Sequence, residues 1–258
     1  MMALAVLSEA DPARKAALAT QLRADFLAGA PLDPDAALTP AQPLPGRPAR
    51  PALKEALQVP SRSPFTVEGR AALIHAICHI EFNAINLGLD AVWRFPDMPR
   101  AFYADWLQVA AEEALHFTLL HEHLQTLGHH YGDFDAHDGL WTMAERTKDD
   151  VLARMALVPR TLEARGLDAT PPLQAKFRKA GDEHAVAILD VILRDEIGHV
   201  EIGNRWYRHL CLARGLDPVG TYALLVQQYQ APRLRAPFNL DARRRAGFSD
   251  EELAFLQG

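Results

Sequence analysis

The sequence predicts an all-α protein: a four-helix bundle preceded by a short helix and a proline-rich strap, and followed by further short helices. Three observations predict it. From Glu68 onward apolar residues recur at helical spacing, and no β-type alternation of any length interrupts them. Gly and Pro punctuate that region at helix-length intervals. Nine of the 18 prolines crowd between Pro31 and Pro64, where they remove the backbone donors that helices and central strands need. With 258 residues, 49% of them hydrophobic, the chain is long enough to bury a large core.

Each element has its own signals. Asp11 is placed to cap a helix with Pro12 at its first position and Leu18, Leu22 and Phe26 on one side, so a helix is expected over 11–28. The proline-rich stretch reads as an extended strap on the bundle, with a disordered linker as the competing reading. A first long helix is expected over Val67–Phe95, closed by Pro96 and Pro99, and a second over Pro99–Leu127, ended by Gly128. Gly132–Trp141 reads as a loop. A third helix is expected to begin at Thr147, with Asp150 completing a capping box, to kink at Pro159 and to stop at Gly166. A short helix with Pro171 and Pro172 in its first turn follows, and the fourth long helix spans Asp182–Arg214. A helix around 218–230, an irregular basic stretch and a terminal helix capped by Ser249 with Glu252 complete the chain. The expected organisation is therefore helix and strap over 1–66, bundle over 67–215 and helical extension over 216–258.

Bulk charge excludes some functions. A net charge of −6 argues against a surface built chiefly to neutralise phosphates, and so against a nucleic-acid partner. The one basic cluster, Arg233, Arg235 and Arg243–Arg245, reads as a solvated surface tail. Cys78 and Cys211 form no Cys-x-x-Cys, so neither a disulfide framework nor a thiolate zinc site is indicated. The apolar opening Met1–Leu7 lacks a basic leader, and no run reaches the roughly 18–20 apolar residues of a membrane span. These features predict a soluble cytoplasmic protein with no membrane partner, and they admit a homodimer.

The chemistry lies in a repeat. Glu113-Ala-Leu-His116 and Glu196-Ile-Gly-His199 are both Glu-x-x-His, a spacing that lets both side chains reach one metal ion from one helix face. Alone the motif is weak, because Glu and His are common. Its specificity comes from Glu81, 32 residues before Glu113, and Glu163, 33 residues before Glu196. In an antiparallel helical hairpin that interval returns the chain to the same height. Two such hairpins would bring four carboxylates and two imidazoles into one layer, the donor set of ferritin-like di-iron and di-manganese carboxylate bundles. Each glutamate also shares its stripe with apolar residues: Ile77 and Ile85 beside Glu81, Val109 and Leu120 beside Glu113, Leu152 and Met155 beside Glu163, Ile192 and Val200 beside Glu196. Buried carboxylates so placed would repel and take up protons unless cations neutralised them. Oxygen and imidazole ligands without thiolate suit two iron ions, with manganese or zinc chemically compatible.

Other residues are weighed against blander roles. Glu112 and Asp195 lie four residues before the motif histidines and could support those imidazoles by hydrogen bonds, or form surface ion pairs. Phe82 and Phe117 would line a dry pocket, with Tyr207 beside it; packing is the ordinary role for Tyr103 and Tyr207. His75, His79, His121 and His123 read as core or surface histidines.

The stretches His79-Ile-Glu81, Phe102-Tyr-Ala-Asp-Trp106, Glu112-Glu-Ala-Leu-His-Phe117, Glu163-Ala-Arg-Gly-Leu-Asp168 and Asp195-Glu-Ile-Gly-His-Val200 resemble the bacterial ferritin-like family catalogued as domain-of-unknown-function family 455. The resemblance covers about 60–245. It implies a ferritin-like fold and a dinuclear metal site, but no reaction. The layout is also distantly similar to the di-iron tRNA hydroxylase, from which no substrate transfers. The expected function is an oxidoreductase whose metal pair activates O2 to hydroxylate or oxidise an organic substrate, with an electron donor as partner. The alternatives are a ferroxidase-like metal-handling protein and a non-catalytic metal-braced scaffold or RNA-modification accessory.

Overall fold

The computed structural model describes residues 3–32, 39–60 and 62–257. The fold is an all-α helical bundle, 69% helical, with no strand among the described residues. Residues 33–38 and 61 of the proline-rich stretch, and Met1 and Met2 of the apolar opening, lie outside the described residues. The chain divides into two compact units: Met1–Gly139 with Ala180–Ile188 (unit 1), and Leu140–Lys179 with Leu189–Gly258 (unit 2).

Unit 1 is built on α3 (Val67–Arg94) and α4 (Arg100–Thr126), which pack along one another, with α1 (Ala3–Leu7) and α2 (Pro12–Leu27) laid against them. Asp11 caps α2 by accepting from the amide of Arg14, and Thr66 caps α3 by accepting from Gly69. Gly128, at φ +79°, follows the end of α4 in the left-handed conformation that glycine tolerates. The closest approach of α3 to α4 is at Gly88, where an added Cβ would lie 3.0 Å from Ala110 Cβ and 3.0 Å from the carbonyl oxygen of Trp106.

From Glu81 to Ala91 every residue of α3 is buried, so this stretch has no solvent face. That environment corrects one sequence reading. By length and composition α3 is apolar enough to cross a membrane, although no unbroken apolar run exists. In its most apolar window 78% of residues are buried inside protein, as expected of a core helix. The described part of the strap is pinned by single contacts rather than by a ladder. Gly46 donates to Leu7 O at 2.8 Å, and Lys54 donates to Ala136 O at 2.8 Å. Arg47 pairs with Asp138 at 2.8 Å.

Unit 2 departs from the sequence reading in its first half. The expected loop over 132–141 gives way at Gly139 to α5 (Gly139–Arg146). Asp150, not Thr147, caps α6 (Val151–Leu157), because the Asp150 carboxylate accepts from the Leu152 amide. The Thr147 hydroxyl instead donates to Met143 O and accepts from Arg154 Nε. Pro159, which cannot donate a backbone hydrogen bond, falls in a π-helical stretch (Val158–Glu163) that runs directly into α7 (Ala164–Lys179). Helix α7 passes through Gly166, Pro171 and Pro172 without stopping.

The long helix α8 (Glu183–Ala213) is followed by α9 (Pro218–Gln228), α10 (Leu240–Arg245) and α11 (Asp250–Gln257). Ser249 and Glu252 form the expected reciprocal capping box: Glu252 N donates to Ser249 Oγ at 3.2 Å, and Ser249 N donates to Glu252 Oε2 at 2.7 Å. The basic run is not a solvated tail throughout. Arg243 is fully buried and bound to Asp168 at 2.6 Å, because Phe238 and Phe248 close over its guanidinium.

Candidate metal centre

Helices α3 and α4 bring three metal-ligand side chains together inside unit 1. His116 Nδ1 lies 3.2 Å from Glu81 Oε2 and 3.2 Å from Glu113 Oε2. Ligand-type atoms of all three lie within 4.8 Å of one another. Glu113 and His116 have no solvent exposure, and Glu81 has 3%. The imidazole Nδ1 carries at most one hydrogen, so it cannot give a full hydrogen bond to two carboxylates at once. Burial raises the pKa of the Glu81 carboxyl, the neighbouring Glu113 charge adds to the rise, and His116 opposes it. The chemistry of this donor set fits a divalent cation: it would take both carboxylate charges and the imidazole lone pair and remove the repulsion that otherwise drives protonation.

Unit 2 carries the matching set. Glu163, Glu196 and His199 are buried at 8%, 7% and 1% exposure. His199 Nδ1 stands 4.0 Å from Glu196 Oε1, the i,i+3 approach on α8. A Cβ on Gly166, one turn beyond Glu163, would lie 3.9 Å from the Glu196 carboxyl carbon, so the Glu196 side chain reaches α7 just past the end of the π stretch. Among the described residues of unit 2, no three ligand-type side chains approach as closely as Glu81, Glu113 and His116 do. Pro159 also decides how α8 meets the π stretch: a Cβ on Gly203 would fall 2.6 Å from Pro159 Cβ, so only glycine fits there.

The remaining candidates sort by their contacts. Phe82 and Phe117 are both 1% exposed with ring centroids 5.8 Å apart, next to Glu81 and His116 in sequence. Tyr131 packs on both rings, a residue that sequence reasoning passed over because it sits in an irregular segment. Tyr207 is buried, and its hydroxyl donates to Pro218 O at 2.7 Å, tying α8 to α9. Glu112 accepts from Gln108, and Asp195 is chelated by Arg194. Tyr103 donates to Phe95 O and accepts from Met98 N, holding the turn between α3 and α4.

The other histidines of unit 1 belong to the core. His75 Nε2 accepts from Gly132 N at 2.9 Å, and burial pushes its pKa down to about 4 against the pull of Asp133 and Asp135. His79 Nδ1 faces the Tyr131 hydroxyl at 2.8 Å. His123 meets Asp182 at 3.0 Å, a buried pair with no motif to betray it because 59 residues separate the partners.

Comparison with known proteins bears on the same chain. Residues 8–254 match the profile of the family described as "Protein of unknown function (DUF455)", well beyond the 60–245 over which the motifs show the resemblance and including most of the strap. A protein of Haemophilus influenzae (strain ATCC 51907 / DSM 11121 / KW20 / Rd), described as an uncharacterized protein, is 55% identical over 216 residues, 81% of this chain and 75% of the relative. No solved structure matches the chain. The motifs, the buried Glu/His cluster and a match running nearly from end to end agree, and the chain belongs to the DUF455 family.

Proposed function

We propose that the protein is a ferritin-like carboxylate oxidoreductase that holds two iron ions, or manganese and iron, and uses O2 to hydroxylate or oxidise an organic substrate. The observation that carries this reading is the buried cluster of Glu81, Glu113 and His116, with no counter-cation among its own side chains. The repeat supports extending it: Glu163, Glu196 and His199 present the same residue types at the same spacing and are buried as well. In this reading the six side chains converge, Glu81, Glu113 and His116 serving one ion and Glu163, Glu196 and His199 the other. When bound, the metals supply the redox chemistry that side chains cannot. The protein contributes the ligands and keeps water out through Phe82 and Phe117, and an external electron donor supplies reducing equivalents.

Metal analysis of the purified full chain, followed by O2 consumption with a chemical reductant and candidate organic compounds, tests the reading. Close to two irons per chain, with O2 uptake that rises when an organic compound is added, is the expected result. Zinc alone, or uptake that follows Fe(II) without any organic compound, overturns the oxygenase reading.

A further inference from the structure

The two buried arginines of unit 2 form a polar site away from the Glu/His clusters. Arg160, 3% exposed, donates from Nη1 to Asn204 Oδ1 at 2.7 Å and pairs through Nη2 with Glu252 Oε1 at 2.9 Å. Arg243, with no exposure, binds Asp168 through Nε at 3.1 Å and through Nη2 at 2.6 Å. Both guanidinium carbons lie against the Phe248 ring, 4.8 and 5.4 Å from its centroid. Both residues line a cavity of about 320 Å3, counted to its open mouth, which Tyr222, Leu234 and Phe255 also wall. After all these bonds, Arg160 Nε and Arg243 Nη1 remain buried with no hydrogen-bond partner.

Two unsatisfied guanidinium donors in one small cavity are costly, and their chemistry says what would relieve the cost. Three guanidinium groups meet there, Arg160, Arg208 and Arg243, against two carboxylates, Glu252 and Asp168, leaving one net positive charge. A water molecule could accept hydrogen bonds but would leave that charge uncompensated, whereas a small anion answers both needs.

We propose that unit 2 contains a binding site for a small oxyanion, an inorganic phosphate or the carboxylate of an organic acid, which accepts hydrogen bonds from Arg160 Nε and Arg243 Nη1. Tyr222 and Phe255, whose rings meet edge to face at 6.1 Å, give the cavity an apolar wall. Arg160 lies on the π stretch three residues before Glu163, so the anion braces the segment that carries that glutamate. The site stands on its own residues and does not depend on the metal reading.

Calorimetric titration of the full chain with inorganic phosphate, and separately with acetate, against sodium chloride of equal ionic strength, tests it. One saturable site per chain for either anion is expected. A phosphate response assigns the inorganic ion, and an acetate response a carboxylate. In Arg160→Gln the dissociation constant should rise roughly tenfold or more, the loss of one charge-assisted hydrogen bond. Leu234→Trp fills the cavity from a half-buried position outside any helix and leaves the arginines in place, so it should abolish binding even if the arginine variant does not fold. Heats no different from the chloride control for both anions, or binding undiminished in Leu234→Trp, overturn the proposal.

Discussion

Lys15 shows what a single side chain contributes to the first unit. Its ammonium group, fully buried, donates to Leu7 O at 3.1 Å, Gly46 O at 2.7 Å and Asn86 Oδ1 at 2.5 Å, so it joins the end of α1, the strap and α3. The Phe82 ring lies 4.9 Å below it. Removing the donor leaves buried acceptors unmatched, and Lys15→Met should cost roughly 2–4 kcal/mol in urea unfolding. Burial pulls the Lys15 pKa from 10.5 down to about 7, with Arg47 acting in the same direction and Glu9 against it. Between those two values the unfolded chain holds a proton that the folded chain has released, so wild-type stability gains from this group as pH rises from 7 to 10.5. The stability gap between wild type and Lys15→Met should widen across that window. A gap independent of pH would mean that the amine stays charged in the fold.

Among the elements, the π stretch is where local sequence rules and the fold part company. Pro159 in a helical pattern announces a break, and a kink is what sequence alone supports. The structure meets the missing donor by a wider turn, and Thr161 Oγ1 takes the carbonyl of Ala156 at 2.7 Å. The proline ring then seats against Gly203 of α8, a tertiary contact that no window of sequence contains. Gly203→Ala would put a methyl group 2.6 Å from Pro159 Cβ, and backbone must move to receive it. A loss of about 1–3 kcal/mol, typical of overpacking, is expected from thermal unfolding, with the Glu163 segment exchanging amide hydrogens faster. Pairing with Pro159→Ala should recover part of that loss. The same logic explains why helix ends such as Asp11, Thr66 and Ser249 were legible and the continuity of α7 was not: caps are local chemistry, whereas Gly166 and Pro171–Pro172 stay helical only because packing outweighs their weak preferences.

At the scale of the whole molecule, the all-α class and the buried state of all six proposed ligands could be read from periodicity and from the repeated interval of 32 and 33 residues. What could not be read were partners distant in sequence: the His123–Asp182 pair, the Tyr131 packing and the burial of Arg243 all depend on which segments meet. The proposed metal pair makes a prediction at this scale because its ligands come from both units. Metal that binds only the folded chain stabilises it by about 2.7 kcal/mol at a hundredfold excess over its dissociation constant. If all six residues serve one centre, that gain must reach α3 and α4 in unit 1 and α8 in unit 2 together. Hydrogen exchange with and without Fe(II) under anaerobic conditions should therefore slow in all three helices in parallel. Glu81→Gln should act with opposite signs on the two forms. Removing one of two carboxylates packed against His116 relieves repulsion and raises the melting temperature of the metal-free protein, while the increment gained on adding metal shrinks. Protection confined to α3 and α4 would reduce the centre to Glu81, Glu113 and His116 and remove the second ion from the proposed chemistry.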